Sequence, residues 1–295
     1  MIMLSWIYWD PKPEIFYLPI VHWPIVWYGV LFALGFAIGF PIFVSVLVRY
    51  FTHEPPPGID ASHYRKKAVQ ITDRLTIYVI FATVIGSRLG HFFFYENPSD
   101  YFSNIWEIFD ISDGGLKGLA SHGGAIGIVL AVALFRYRIR KEVPKLTWVR
   151  ILDFLSIPTA LAGAFIRVGN FFNQEILGTP TDLPWAVVFG HPADHSLPIP
   201  RHPAQLYEAF FYLAVFFLLW RLSYRSYFLL ARGKLIGLFL ILVFGFRFLV
   251  EYIKTEQSHL LSAASSLSMG QILSLPAIIA GILLLFWPKS NSFDL

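Results

Sequence analysis

Long apolar runs separated by short polar stretches dominate the chain. A helix needs about 20 residues to cross a bilayer, and seven runs are long enough or nearly so: 26–48, 75–94, 118–135, 151–172, 203–220, 235–253 and 269–287. The pattern therefore predicts about seven transmembrane helices. Two runs are diluted: GLASHGGAIGIVLAVALF carries four glycines and a histidine, and PAQLYEAFFYLAVFFLLW places Gln205 and Glu208 near its start. Between the runs, RYFTHEPPPGIDASHYRKK has the proline and charge of an aqueous connection. GTPTDLPWAVVFGHPADHSLPIPRHP is a long proline-rich loop of the kind that usually has a function. Its WAVVF segment reads as a short strand, so the 173–203 loop is expected to build a small cap.

Composition places this pattern in a bilayer. Of the residues, 56% are hydrophobic and 14% charged, and 29 are Phe, too apolar for a soluble domain of this length. The expectation is an all-α integral membrane protein. Lys and Arg set its direction: sixteen of the 23 follow the first, third or fifth run or lie in the C-terminal tail, four lie on the opposite side and three lie inside runs. Basic residues concentrate on the cytoplasmic side, which predicts an N-terminus outside and a C-terminus inside. Residues 1–25 lack the basic start of a cleavable signal peptide and are rich in Trp and Tyr. They read as an interfacial segment on the outer face, followed by one polytopic domain over 26–288 and a cytoplasmic tail over 289–295. No internal repeat is evident. Cysteine is absent, which excludes disulfides, thiolate metal sites and a cysteine nucleophile of the chain's own.

Against this background the charges inside the runs stand out, because an ionisable side chain within a membrane costs several kcal/mol and marks a functional site by default. Arg88, Arg167 and Arg247 are the three cations to explain. If the fourth run stays helical to its end, Arg167, Asn170 and Gln174 share a face at i, i+3 and i+7. In FGFRFLVEYIK, Arg247, Glu251 and Lys254 fall at i, i+4 and i+7, again on one face. An intrahelical Arg247 to Glu251 ion pair is the plainer account of the second stripe. Two such stripes near Glu175 and Glu208, all at the outer ends of their runs, favour a shared polar cavity.

His122 enters the third run at the same boundary, where Gly123, Gly124 and Gly127 permit close helix packing or close approach of a substrate. Tyr28 and Tyr207 lie at similar depth. Guanidinium groups suit phosphate, being planar, permanently charged and able to bond two oxygens, and phosphate in a membrane belongs most often to a lipid headgroup. The residues alone therefore point to a protein that handles phospholipid, with an enzyme and an anion or anionic-lipid transporter both open. The histidines show no compact zinc spacing, and no glycine-rich nucleotide loop is present. No metal, organic cofactor or nucleic acid is implied.

The stretch RVGNFFNQEILG (167–178) resembles the signature of the phosphatidylglycerol:prolipoprotein diacylglyceryl transferases. WYGVLFALGF, GSRLGHFFFY, SHGGAIG, RHPAQLYEA, FRFLVEY and MGQILSLPAIIAG resemble blocks of that family in the same order, over about residues 20–287. The family joins the diacylglyceryl group of phosphatidylglycerol to the lipobox cysteine thiol of a prolipoprotein, at the outer side of the bacterial inner membrane. A thioether forms and glycerol phosphate leaves.

The resemblance implies catalytic roles for His122, Arg167 and Arg247, with the arginines gripping the phosphate and His122 as base for the thiol. It implies substrate-binding roles for Asn170, Glu175, Gly178, Tyr28, Arg88 and Glu208, and it makes Glu251 the residue that orients Arg247. The implied partners are phosphatidylglycerol, the lipobox region and membrane lipids. The chain departs from the family pattern at Ile166, where Gly is usual, and at Ser121, where an aromatic residue is common. It also carries extra residues before His122, and its outer loop from Thr179 to Pro200 is shorter than in some relatives.

Overall fold

The computed structural model describes residues 6–20, 22–95, 108, 120–255 and 267–286. The extra residues before His122 and the 289–295 tail lie outside them. Among the described residues there are eight α-helices: α1 (Trp27–His53), α2 (Tyr64–Tyr95), α3 (Ser121–Ile139), α4 (Trp148–Phe172), α5 (Ala204–Leu222), α6 (Ser226–Leu230), α7 (Lys234–Val250) and α8 (Met269–Leu285). Six segments are long and apolar enough to cross a membrane: Trp27–His53, Ala61–Phe93, His122–Ile139, Trp148–Phe172, Ala204–Leu222 and Lys234–Ile253. The protein is thus a multi-pass membrane protein. The last of the seven expected spans forms the 17-residue α8, about 25 Å long at 1.5 Å per residue. A reciprocal capping box starts α8: Ser268 Oγ accepts from the Gln271 amide, and Gln271 Oε1 accepts from the Ser268 amide.

The chain divides into two compact units, Phe43–Leu152 and Met1–Ile42 with Asp153–Leu295. In the first, α2 and α3 meet through glycines. A Cβ on Gly86 would lie 2.6 Å from the Gly123 carbonyl oxygen, and one on Gly127 would lie 2.5 Å from that of Ala82. Of the two uses left open for the glycines near His122, helix packing is the one observed: removing the Cβ lets two backbones touch where apolar solvent gives helices little other reason to associate. Large side chains fill the opposite end of this unit, with Leu47, Tyr50, Phe51, Ile71, Phe135 and Leu146 fully buried. Tyr50 donates its hydroxyl to the Lys145 carbonyl at 2.9 Å. Glu142, in the α3–α4 connection, accepts from Lys67 at 2.6 Å and from both terminal nitrogens of Arg74 at 2.9 and 2.8 Å.

In the second unit, Gly35 packs on Ala162 and Gly237 on Gly281, which brings α1 against α4 and α7 against α8. The Phe211 and Phe246 rings stack at 3.9 Å between α5 and α7. The start of α7 is capped from another helix. Asp153 of α4 accepts from the Gly233 amide at 2.7 Å and the Ile236 amide at 2.9 Å, satisfying donors that a helix N-terminus leaves open. Gly233 adopts φ 78° there, a conformation glycine reaches without penalty.

Five short strands complete this unit: β1 (Ile7–Trp9), β2 (Glu14–Tyr17), β3 (Pro24–Val26), β4 (Val187–Phe189) and β5 (Pro200–Arg201). The strand expected in WAVVF is β4. It pairs with β5 antiparallel and with β1 in parallel, so the cap takes in the N-terminal segment as well as the 173–203 loop. β2 and β3 form a hairpin whose Phe16, Tyr17 and Ile20 are exposed and which runs directly into α1. Below the sheet, Phe171, Leu177, Val187 and Phe189 form a buried cluster with Trp9 packed against it. The Trp9 indole donates to the Phe171 carbonyl at 3.0 Å.

Two stability predictions follow from these polar anchors. Leaving two buried amides without acceptors costs roughly 1–3 kcal/mol each, so Asp153→Ala is expected to lower the thermal midpoint in detergent by several degrees more than Asp153→Asn; equal losses would rule out the cap. The Arg74 and Lys67 bonds hold the Glu142 carboxyl down from its ordinary 4.5 to about 2. Its contribution is therefore complete above 4.5 and vanishes as pH falls through that window. The stability gap between wild type and Glu142→Gln should close from pH 4.5 toward about 2, whereas a gap constant with pH would exclude the clamp.

Candidate functional site

A backbone reversal at the end of α4 builds the site. The helix stops at Phe172, and Gln174 and Ile176 take φ of 51° and 59°, left-handed values unfavourable for side-chain-bearing residues. The Glu175 amide returns to the Asn170 carbonyl at 3.0 Å. Its carboxylate then accepts from Asn170 Nδ2 at 2.7 Å and from Asn173 Nδ2 at 3.2 Å. Asn170 in turn accepts from Arg167 Nη1 at 2.9 Å.

Arg167 and Asn170 share a face as predicted, but Gln174 does not join them. With α4 ended, its amide faces the other way and donates to Asp10 at 3.2 Å while accepting from the His191 amide at 2.8 Å. His191 Nδ1 also meets Asp10 at 2.5 Å. These bonds from His191 and Gln174 hold the Asp10 carboxyl below its ordinary range.

At the centre is Glu208, on the first turns of α5 and with no exposed surface. Its Oε2 lies 3.0 Å from Arg167 Nε and 2.9 Å from Lys254 Nζ, and its Oε1 accepts from the Tyr212 hydroxyl at 3.0 Å. The side chains of Arg167 and Lys254 are only 11% and 3% exposed. Arg247 of α7 acts electrostatically on Glu208, Tyr212 and Lys254, which puts both predicted arginines in one charged group.

The second stripe is also modified. α7 gives way to a 3-10 turn over Glu251–Ile253, and Lys254 is extended, with φ −100° and ψ 150°. Among the described residues Arg247 makes no ion pair. Glu251 meets Lys254 at 3.5 Å and abuts Gly270, whose missing Cβ leaves room for the carboxylate. Glu251 keeps its helical relation to Arg247, its amide bonding the Arg247 carbonyl, but its carboxylate meets Lys254.

Gly178 connects the two halves. It forms an antiparallel bridge with Lys254, flanked by Thr179 N to Ile253 O at 2.8 Å and Thr255 N to Leu177 O at 3.0 Å. A Cβ there would collide with the backbone of His202. Tyr28 packs on Gly169 and lies within electrostatic reach of Glu175 and Arg167.

Sequence reasoning passed over Tyr212, which sits one turn after Glu208, and Gln205. The Gln205 amide nitrogen donates to the Glu175 carbonyl at 2.7 Å, and its fully buried Oε1 has no hydrogen-bond partner among the described residues. Tyr207 is tied to Trp185 at 2.8 Å and to His202 at 3.2 Å. Arg88 and His122 belong to the other unit. Arg88 is buried and donates through Nε to the Ile108 carbonyl, and His122 is half-buried in the first turn of α3 beside Gly123. No three His, Asp or Glu among the described residues are grouped to hold a metal ion.

Membrane-length helices that bury two cations against one carboxylate, with a third cation close by, define a multi-pass membrane protein with a charged polar centre among its helices. The chain belongs to the prolipoprotein diacylglyceryl transferase family, whose model matches residues 13–287. It is 42% identical to the phosphatidylglycerol–prolipoprotein diacylglyceryl transferase of Chloroherpeton thalassium, over 96% of this chain and 94% of that one. It is 41% identical to the protein of that name from Tolumonas auensis, over 95% and 96%. With the one from Protochlamydia amoebophila it shares 37% identity over 98% and 96%.

Because a Cβ at position 178 has no space, Gly178→Ala is expected to push the loop off the Lys254 bridge and lower the thermal midpoint. An unchanged midpoint together with unchanged hydrogen exchange at Thr179 and Thr255 would show that the bridge does not depend on this glycine.

Proposed function

We propose that this protein transfers the diacylglyceryl group of phosphatidylglycerol to the lipobox cysteine thiol of prolipoproteins. The observation that carries this reading is the buried Glu208 carboxylate held by Arg167 and Lys254, with Arg247 within electrostatic reach, in a chain of the transferase family. The thiol sulfur attacks the glyceryl carbon that bears the phosphate ester, a carbon–sulfur bond forms, and the carbon–oxygen bond breaks. The electron pair stays on the departing oxygen of glycerol phosphate. Charge on that phosphate grows as the bond breaks, and preorganised cations in a water-poor site favour that change most strongly.

Arg167 and Arg247 bind the phosphate and stabilise it as it leaves. Asn170 and Glu175 hold the Arg167 guanidinium in plane, Glu208 fixes its Nε edge, and Gly178 secures the loop. Tyr28 lines the same region, and Glu251 acts through Lys254. The thiol proton, whose ordinary pKa near 8.5 makes a base useful, is assigned to His122 on its sequence block alone, as is lipid binding by Arg88. The exposed β2–β3 hairpin and the capped end lie on the outer side of a bacterial inner membrane, the interfacial role read for residues 1–25, with the C-terminus in the cytoplasm. The basic loops support that orientation.

Incubating purified protein with phosphatidylglycerol and a lipobox peptide, followed by mass spectrometry, tests the assignment. Wild type should add a diacylglyceryl mass to the cysteine, and Arg247→Ala should slow this by at least about a hundredfold. His122→Ala should lose activity that is partly recovered at higher pH, where more thiol ionises unaided. Protein that binds phosphatidylglycerol but never modifies the thiol would instead be a lipid binder or transporter.

A further inference from the structure

Lys254 is the most deeply buried cation of the charged group, and the reading above gives it no contact with the phosphate. Its position is specified twice. The backbone is bridged to Gly178, and the side chain, 3% exposed, ends 2.9 Å from the Glu208 oxygen that also faces Arg167 Nε at 3.0 Å. A buried Arg167–Glu208 pair by itself would be neutral and would have little charge left for a phosphate. With Lys254 on the same oxygen, one negative charge is divided between two positive ones.

We infer that Lys254 is a positioning residue of the phosphate site, acting through Glu208. By holding Oε2 it keeps the carboxylate in place yet leaves the Arg167 guanidinium with charge to offer the lipid phosphate. This inference rests on the proposed transfer. Arg167, Lys254 and Glu208 carry one net positive charge, and Arg247 adds a positive charge that the Glu251 carboxylate beside Lys254 offsets, so without Lys254 these groups would be neutral. A phosphodiester brings one negative charge, and a second develops on its oxygens as the carbon–oxygen bond breaks. The charge of Lys254 is thus needed most when the leaving group separates. Glu251, 3.5 Å away, is the other carboxylate beside the ammonium. Tyr212 occupies the second Glu208 oxygen, which leaves Oε2 to the two cations.

The experiment compares initial rates of peptide modification, over a range of phosphatidylglycerol concentrations, for wild type, Lys254→Met, Lys254→Arg, Glu208→Gln and the Glu208→Gln/Lys254→Met double variant, with the thermal midpoint of each. Lys254→Met should lower kcat by at least about tenfold and raise KM less, the pattern of an interaction that grows toward the transition state. Lys254→Arg should stay within about threefold of wild type. The double variant should be faster than Lys254→Met, because the carboxylate that Lys254 offsets is gone, and such coupling is what a double-mutant cycle detects.

A purely structural lysine would restore the midpoint of the double variant without restoring its rate, and that result overturns the inference. So does a Lys254→Met enzyme within about twofold of wild type. Should Lys254→Met fail to fold, Lys254→Gln against Lys254→Arg makes the same comparison. Wild type that never modifies the peptide defeats the transferase reading and this inference together, whereas active wild type with an unaffected Lys254 variant defeats the inference alone.

Discussion

Burying the Glu208 carboxylate away from water is unfavourable by several kcal/mol unless cations and donors sit against it, and the surrounding elements are arranged as that requirement dictates. Arg167 arrives from α4, Lys254 from beyond α7, and Tyr212 from the next turn of α5. Each contact draws a different segment toward one carboxylate. The Gly178–Lys254 bridge and the turn through Gln174 and Ile176 hold these segments in register. Removing the carboxylate would leave two buried cations facing each other, so the local geometry and the site's charge cannot be altered separately.

Glycine has two separate uses in the fold. Between α2 and α3 it brings backbone to backbone through Gly86, Gly123 and Gly127. This kind of contact substitutes for the hydrophobic effect, which is weak between helices already in an apolar solvent. Gly178 and Gly270 serve the site instead, by leaving room for the His202 backbone and for the Glu251 carboxylate. A residue type that looks uniform in the sequence thus answers to packing in one unit and to chemistry in the other.

The helices and their buried cations were legible in the sequence because hydropathy and helical period are local properties. Arg167 with Asn170 is an i, i+3 relation inside one helix, and it is found as read. What failed is where a helix was extended past its end. Gln174 was placed on the arginine stripe, but left-handed backbone at its own position turns its amide toward Asp10. Lys254 was placed on the Arg247 stripe, but its backbone is extended after the 3-10 turn, and there it meets the Glu251 carboxylate. Asp153 as a cap for α7 and β1 as part of the cap sheet depend on partners about 80 and 180 residues away, and no periodicity reports such distances.

Asp10 directly follows β1, and it is bonded to Gln174 and His191 at once. Gln174 is the residue immediately before Glu175, whose carboxylate holds Asn170 against Arg167. The cap and the arginine are therefore joined by polar bonds on either side of the Gln174–Glu175 peptide bond. The turn that aims Glu175 at Asn170 is thus braced on its other side by residues of the cap, Asp10 and His191, so the cap is part of the scaffold of the arginine and not a separate decoration.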